Sequence, residues 1–442
     1  MNAGLETECA ASRGPLIRGN EAPEKTGNEV GAARGSEAGT TKLVVFSSLF
    51  PHPGQPNAGL FVRERMFRVG DGTSLVVVAP VPWFPLQALI RTWRPHFRPP
   101  APALEVQHGV RVFHPRFLSV PGRLKWLDGL FMALGALSLM RRLRKEFDYR
   151  VIDSHFAYPD GYAATLLGSW LNVPVTITVR GTEVPLARTR LRRRLMQTAL
   201  RRASHVFAVA RALAEHAKAL GAAPDEVTVV PNGIDMGKFR RMDRTVARRE
   251  LELDQDAPVL VSVGGLSERK GFHRVIALLP ELRRRFPGLV YLVVGGACPE
   301  GDWRPRLEAM AAELNVGAAV RFLGPMAPER LRVPLSAADV FVLATRNEGW
   351  ANVFLEAMAC GLPVVTTDVG GNREVVAEGG LGTIVPFGEV EALKAALEQA
   401  LTRDWDRDRI VRYAEENAWD TRIPILRERF AELAARYGGV RS

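Results

Sequence analysis

Short runs of β-branched and aliphatic residues recur along this chain, with helix-length segments between them. The first series is Lys42 to Ser48, Ser74 to Ala79, Val110 to Phe113, Val151 to Ser154, Val175 to Val179, Val206 to Val209 and Val227 to Val230. A second series follows at Val259 to Val263, Leu289 to Val294, Val320 to Leu323, Val340 to Ala344, Val364 to Thr367 and Gly382 to Pro386. Continuous apolar runs of this length read as strands buried on both faces. Strands that alternate with helices are joined by crossovers, which give doubly wound parallel sheets and an α/β fold. A chain of 442 residues can hold two such domains with large cores. The charged stretch 236–257 reads as a linker and a helix between them. Residues 81–121, rich in proline and aromatics, read as a long insertion. Residues 1–40 are polar and turn-rich and read as a disordered tail.

Open sheets of this kind bind ligands beyond the carboxyl ends of their strands. The most informative loop in that position is Thr345 to Pro363, T-R-N-E-G-W-A-N-V-F-L-E-A-M-A-C-G-L-P. Its two carboxylates, Glu348 and Glu356, stand eight positions apart. Glu348 falls in the loop. Glu356 falls in the first turns of a helix from Val353 to Cys360, which Gly361 and Pro363 close. Free N–H groups at that helix start suit a diphosphate. One carboxylate can then accept hydrogen bonds from a sugar ring and the other from a ribose diol. By spacing alone, a solvated loop glutamate and an ordinary helix glutamate fit equally well. Gly264-Gly265 and Lys270 after the strand at Val263 make a phosphate cradle without the full P-loop spacing. Gly370-Gly371, before Asn372, present bare N–H groups to an anion. Gly59 ends a long loop and would let backbone approach a ligand closely, though a flexible surface loop reads the same. His155 ends a strand. Arg180, after the next one, either holds an anionic acceptor group or caps a helix.

Glu348 to Val365, E-x7-E then A-M-A-C-G-x-P-V-V, resembles the nucleotide-sugar site of family 4 retaining glycosyltransferases. That family has the GT-B fold, two Rossmann-like doubly wound domains facing a cleft. The resemblance covers nearly all of 42–437. F-P-x-P…G-x-F-V…R from Phe50 resembles the opening of a subgroup that builds cell-surface polysaccharides. H-F-A-Y-P-D-G from His155 resembles the loop that sets a histidine beside the transferred sugar. R-G-T-E from Arg180 resembles R-G-[ST]-D, with Glu183 departing from the usual Asp. G-G-L…K-G resembles G-R-L…K-G, with Gly265 where many members carry arginine. Gly295 and Gly296 resemble the V-G-x-G turn near the nucleotide.

The resemblance implies that 41–240, with a C-terminal crossover helix in 412–442, form the acceptor-side domain, and that 241–411 bind the nucleotide sugar. It implies transfer of a sugar from a UDP- or GDP-linked donor to an acceptor hydroxyl with retention, without metal or cofactor. A glycan or lipid-linked acceptor in cell-surface synthesis is the matching partner. Glu348 would contact the donor sugar and His155 the opposite wall near the reacting carbon; these two are the catalytic candidates. Glu356 would meet the ribose. Lys270, Arg269, Gly265, Gly295, Gly296, Gly370 and Gly371 would surround the rest of the donor, and Gly59 and Arg180 would face the acceptor. A nucleotide-sugar epimerase or hydrolase of the same fold, or an inactive binding homologue, are the alternatives. A NAD enzyme would need a G-x-G-x-x-G with an acid about 20 residues on, and none is found.

Charge bears on the partners. Lys+Arg 59 against Asp+Glu 48 gives +11, which suits anionic partners. The run Arg188 to Arg202 places Leu191 and Leu195 one turn apart beside an arginine face, and Arg141, Arg142, Arg144 and Lys145 form a second cluster. Such helices can lie on an anionic membrane. No nucleic-acid motif accompanies the charge, so none is expected as a partner. Cys9, Cys298 and Cys360 show no metal or disulfide spacing, which favours a reducing cytoplasm. No signal peptide is visible. The apolar stretch Trp126 to Met140 contains Asp128 and is shorter than the roughly 20 residues a span needs. The expected location is cytoplasmic, with a peripheral place on the inner face of the membrane.

Overall fold

A computed structural model describes residues 41–438 apart from Asn57, 94–96, Pro121, Arg123 and Pro299. The expected tail at 1–40 lies outside the described residues. The first series of runs forms β1 (Lys42–Phe46), β2 (Ser74–Val78), β5 (Val110–Phe113), β7 (Val151–His155), β8 (Val175–Val179), β9 (His205–Ala208) and β10 (Val227–Val229), and the segment read as an insertion adds β3 (Val81–Trp83), β4 (Leu104–Gln107) and β6 (Arg116–Leu118). The second forms β11 (Val259–Val263), β12 (Val290–Val294), β13 (Val320–Gly324), β14 (Val340–Leu343), β15 (Val364–Thr367) and β16 (Gly382–Val385).

Eight strands make one sheet in the order β10-β9-β8-β7-β1-β2-β5-β4, parallel except for the edge strand β4. Six make a second, all parallel, in the order β13-β12-β11-β14-β15-β16. Successive strand side chains face opposite layers. Val44 and Phe46 of β1 pack with Met132, Ala163 and Met196 on one face. Leu43 and Val45 pack with Val62, Met66, Trp419 and Leu426 on the other. The last helix, Trp419–Gly438, therefore covers the first sheet although it follows the second in sequence.

The insertion at 81–121 is more ordered than its prolines imply. It carries β4 and the parallel pair β3–β6. The charged stretch 236–257 hides a structural cation. Arg248 is fully buried, donating to the carbonyls of Ala337 and Ala257 at 2.9 and 2.8 Å and pairing with Asp339 at 2.9 Å. The apolar stripe on the helix Arg190–Arg202 is also displaced from the expected one. Met196, Ala199 and Leu200 are the buried residues, while Leu191 is exposed.

The strand orders fix where a ligand can sit. In the second sheet the order reverses between β11 and β14, and in the first between β1 and β7. Each reversal splays two loops apart at the carboxyl ends and leaves a crevice. The loops after β11 and β14 carry Lys270 and Glu348. The loop after β1 carries Gly59, and β7 ends at His155.

Candidate active site

At the second reversal the two loops meet through a charge pair. Lys270 ends the turn Glu268–Lys270, and its Nζ donates to Glu348 Oε1 at 2.7 Å. Thr345 Oγ1 and Arg269 Nη1 donate to the same oxygen at 3.0 and 3.3 Å. Glu348 is thus fixed by three donors before any ligand arrives. Arg269 also pairs with Glu300 at 2.8 Å, which holds it at the rim. The backbone of this loop is pressed against the turn after β15. A Cβ on Gly370, whose φ is 53°, would stand 1.7 Å from the Glu348 carbonyl oxygen, so only glycine permits the contact. The N–H groups of Gly370 and Gly371 donate to no described residue.

The helix Asn352–Ala359 starts without a side-chain cap; the Phe354 N–H donates to the Ala351 carbonyl at 3.0 Å, while the N–H groups of Asn352 and Val353 donate to no described residue. Glu356 in this helix is half-buried and hydrogen-bonds no described residue. Burial pushes its carboxyl up to about 7, with Lys270 nearby pulling the other way. Three further glycines are explained by neighbours rather than by open space. A Cβ on Gly295 would lie 1.8 Å from the Gly264 oxygen, one on Gly265 would lie 2.7 Å from Cys298 Cβ, and one on Gly59 would lie 2.1 Å from the Leu49 oxygen. These glycines let loops pack on one another. Gly296 has ordinary clearance, 3.4 Å from Pro325.

The opposite wall corrects the expectation for His155. Its ring is fully buried and does not border the cavity between the walls; Phe156 and Arg180 are its neighbours that do. His155 Nδ1 accepts from Arg180 Nε at 3.2 Å, so its proton sits on Nε2, which lies 3.2 Å from Asp153 Oδ2 in poor alignment. Burial holds this imidazole neutral, its pKa down to about 4, with Asp153 opposing. The sequence reading missed this because a strand's last residue can face either layer. Arg180 Nη1 donates to Asn232 Oδ1 at 3.1 Å, and Asn232 Nδ2 donates to Asn352 Oδ1 at 2.9 Å, linking the two sheets' loops. Nothing in the local sequence Pro231-Asn232-Gly233 announces that role. Glu183, doubtful in sequence, is a clamp. Its carboxylate accepts the N–H groups of Ala157, Arg180 and Gly181 at 3.0, 3.2 and 2.8 Å.

Between the walls lies a cavity of about 850 Å³, bordered by Phe61, Phe156, Arg180, Arg269, Glu348 and Trp350 among others. The sheets' loops touch beside it. A Cβ on Gly349 would lie 2.1 Å from the Arg180 oxygen, and one on Gly371 would lie 3.2 Å from Ala210 Cβ. Glu374 accepts the N–H groups of Arg211 and Ala212 at 2.6 and 3.0 Å.

Two parallel-sheet domains that turn their order reversals toward one cavity, with a lysine–glutamate pair at one of them, define the GT-B class. Solved structures agree on the fold. Sucrose-phosphate synthase from Thermosynechococcus elongatus superposes with a TM-score of 0.71 at 20% identity, over 90% of this chain and all of that one (100%). HepE of Anabaena, solved in complex with UDP, gives 0.66 at 20% identity, over 89% and 100%. The chain matches the family profile "Glycosyl transferases group 1" over residues 243–417 and "Glycosyltransferase Family 4" over 79–238. It belongs to family 4 of the glycosyltransferases. It is 27% identical over 391 residues, 86% of this chain and 91% of the relative, to a Bacillus subtilis protein named as a teichuronic acid biosynthesis glycosyltransferase. It is 35% identical over 232 residues to a D-inositol 3-phosphate glycosyltransferase of Nocardia farcinica, and there the match spans about half of that protein, 51%.

Proposed function

We propose that the protein moves a sugar from a nucleoside diphosphate donor to an acceptor hydroxyl with retention of configuration. The observation that carries this reading is the Lys270–Glu348 pair at the second sheet's reversal, with Glu348 bordering the same cavity as Arg180. Transfer must stabilise a departing diphosphate, and fixed cations and N–H groups do that best in a site shielded from water. Lys270, Arg269, the Gly370-Gly371 N–H groups and the helix start at Asn352 supply them, so the reading needs neither metal nor cofactor. Glu348 exchanges its lysine for hydroxyls of the donor sugar, and Glu356 accepts from the ribose diol. UDP and UDP-glucose complexes of HepE support a nucleotide-sugar donor, and the Bacillus relative's name supports polysaccharide synthesis. An epimerase or hydrolase would leave the Arg180 wall without a task.

The test is thermal stabilisation by UDP, GDP, ADP and NAD. A ligand at roughly 100 times its Kd adds about 2.7 kcal/mol. One nucleoside diphosphate should stabilise the protein; stabilisation by NAD alone overturns the reading. Lys270→Ala should weaken that diphosphate by roughly tenfold or more, the value of a charge-assisted hydrogen bond, and leave the parent nucleoside unchanged. Equal losses for both would indicate misfolding.

The reading extends to a peripheral place on an anionic membrane, from the cytoplasmic side. Arg193, Arg194, Arg201 and Arg202 are exposed and make no ion pair with a described residue. No described helix is long and apolar enough to cross a membrane. Each basic residue near an anionic surface contributes about 1 kcal/mol. Changing these four to glutamine should release the protein from phosphatidylserine vesicles in a flotation assay. Unchanged flotation removes this helix from the reading.

A further inference from the structure

The first-sheet wall carries two guanidinium groups that form no ion pair with a described residue. Arg180 is only 9% exposed. Two of its nitrogens are taken by neutral acceptors, His155 and Asn232, and Phe61 lies against its guanidinium at 4.9 Å. Its Nη2 has no partner and is shut off from water in this arrangement. Arg65, 1% exposed on the helix Leu60–Gly70, donates to the Val230 carbonyl at 2.9 Å and likewise leaves Nη2 unpartnered. Neither guanidinium has a carboxylate within ion-pair distance among the described residues. The two acids acting on Arg180 are committed elsewhere. Glu183 clamps three backbone N–H groups, and Asp153 accepts the Thr176 hydroxyl at 2.6 Å.

A buried cation without a counter-ion is costly, and removing its compensation is costlier still. Here the uncompensated cation borders the cavity that holds Glu348. A guanidinium is a planar fork that matches carboxylate and phosphate oxygens. The diphosphate of a donor is served from the second sheet, by Lys270 and the Gly370-Gly371 turn, so it does not account for a cation on the first. We propose that Arg180 is a specificity residue that takes a second anionic group, a carboxylate or phosphate, carried by one of the two sugars that meet in this cleft. The proposal rests on the transfer reading above. His155 is then a positioning residue. By accepting from Nε it fixes the plane of the guanidinium and leaves Nη2 for the ligand.

Binding of charged and neutral sugars decides it. One arm compares UDP-glucuronate with UDP-glucose (or GDP-mannuronate with GDP-mannose, should GDP be the base). The other compares glucuronate and glucose 6-phosphate with glucose in the presence of the nucleotide. Each is measured by calorimetry on the wild type, Arg180→Gln and Arg180→Lys. In one arm the wild type should favour the charged ligand by roughly tenfold or more, falling to about twofold or less in Arg180→Gln and returning in part in Arg180→Lys. The arm that responds identifies the donor or the acceptor as the carrier. Nucleotide binding, unchanged in both variants, reports that they are folded. Equal binding of charged and neutral ligands by the wild type, or a preference that survives Arg180→Gln, overturns the proposal and leaves the transfer reading standing. Failure of the wild type to bind any nucleoside diphosphate overturns both.

Discussion

Replacing Glu348 with alanine should lower the rate of sugar transfer by about 10²–10³, the range found when one preorganised transition-state contact is removed. The size follows from the geometry around Oε1. Lys270, Thr345 and Arg269 all point at this oxygen, so its position is set before substrate binds. Removing it takes away the acceptor for the donor sugar and also frees Lys270 from its partner. The loss should fall mainly on kcat, because the diphosphate contacts proposed for Lys270 and Gly370-Gly371 would persist and hold the donor. Glu348→Gln keeps the shape and should lose less. A melting curve separates catalysis from folding, because the Glu348 side chain is only 9% exposed and its removal leaves Lys270 and Arg269 without this partner. Wild-type turnover in the alanine variant would remove Glu348 from the proposed site.

Glu356→Gln should stabilise the unliganded protein above neutral pH, and by a margin large for one surface-lining residue. The fold holds this carboxyl at about 7, above the ordinary 4.5. A raised folded value means that the fold favours the protonated acid. Its stabilising contribution is full below the unfolded value and is lost as pH rises to the folded one. Across that window the loss is on the order of 3 kcal/mol at most. Glutamine cannot ionise, so the variant should unfold about 1–3 kcal/mol harder than wild type at a pH about one unit above 7, with a flatter slope between about 5 and 7. Asp160, which burial also pushes up to about 7, leaves a residual slope in the variant. The same ionisation should govern the donor. Nucleotide affinity of the wild type should rise as pH passes 7, when a charged Glu356 can accept from both ribose hydroxyls, and the variant should show no such rise. Superimposable pH profiles would refute both halves.

Much of the architecture was legible because buried parallel strands leave a strong trace. Val259–Val263 or Val340–Leu343 contain almost nothing but β-branched and aliphatic residues, and both are closed to solvent on each face. The edge strand β4, Leu104-Glu105-Val106-Gln107, is half wet, and its composition says little. The pair β3–β6 has three residues a side and a proline at its centre, which hides it. In the site, residues close in sequence were easier to read than residues brought together by topology. The Glu348–Glu356 spacing is local. The meeting of Glu348 with Lys270, or of His155 with Arg180, depends on which strands are neighbours, and no single segment encodes that. Burial of His155 was out of reach for the same reason, since it depends on what covers a strand's end. The glycines show a further limit. A glycine beside a ligand and a glycine beneath another loop look alike in sequence, and Gly295 and Gly59 are each required by a loop that packs against them.

The contact between Gly349 and the Arg180 carbonyl, together with the Glu374 bonds to Arg211 and Ala212, sets a mechanical stop. Main chain meets main chain at Gly349, and Glu374 holds the other side from outside the cavity lining, so the spacing of the two walls does not depend on the side chains that line the cavity. Side chains lining the cavity can therefore drift, and with them the sugars accepted, while the gap across which the reaction must occur stays the same. A scaffold built this way can diversify its substrates without relearning how to close.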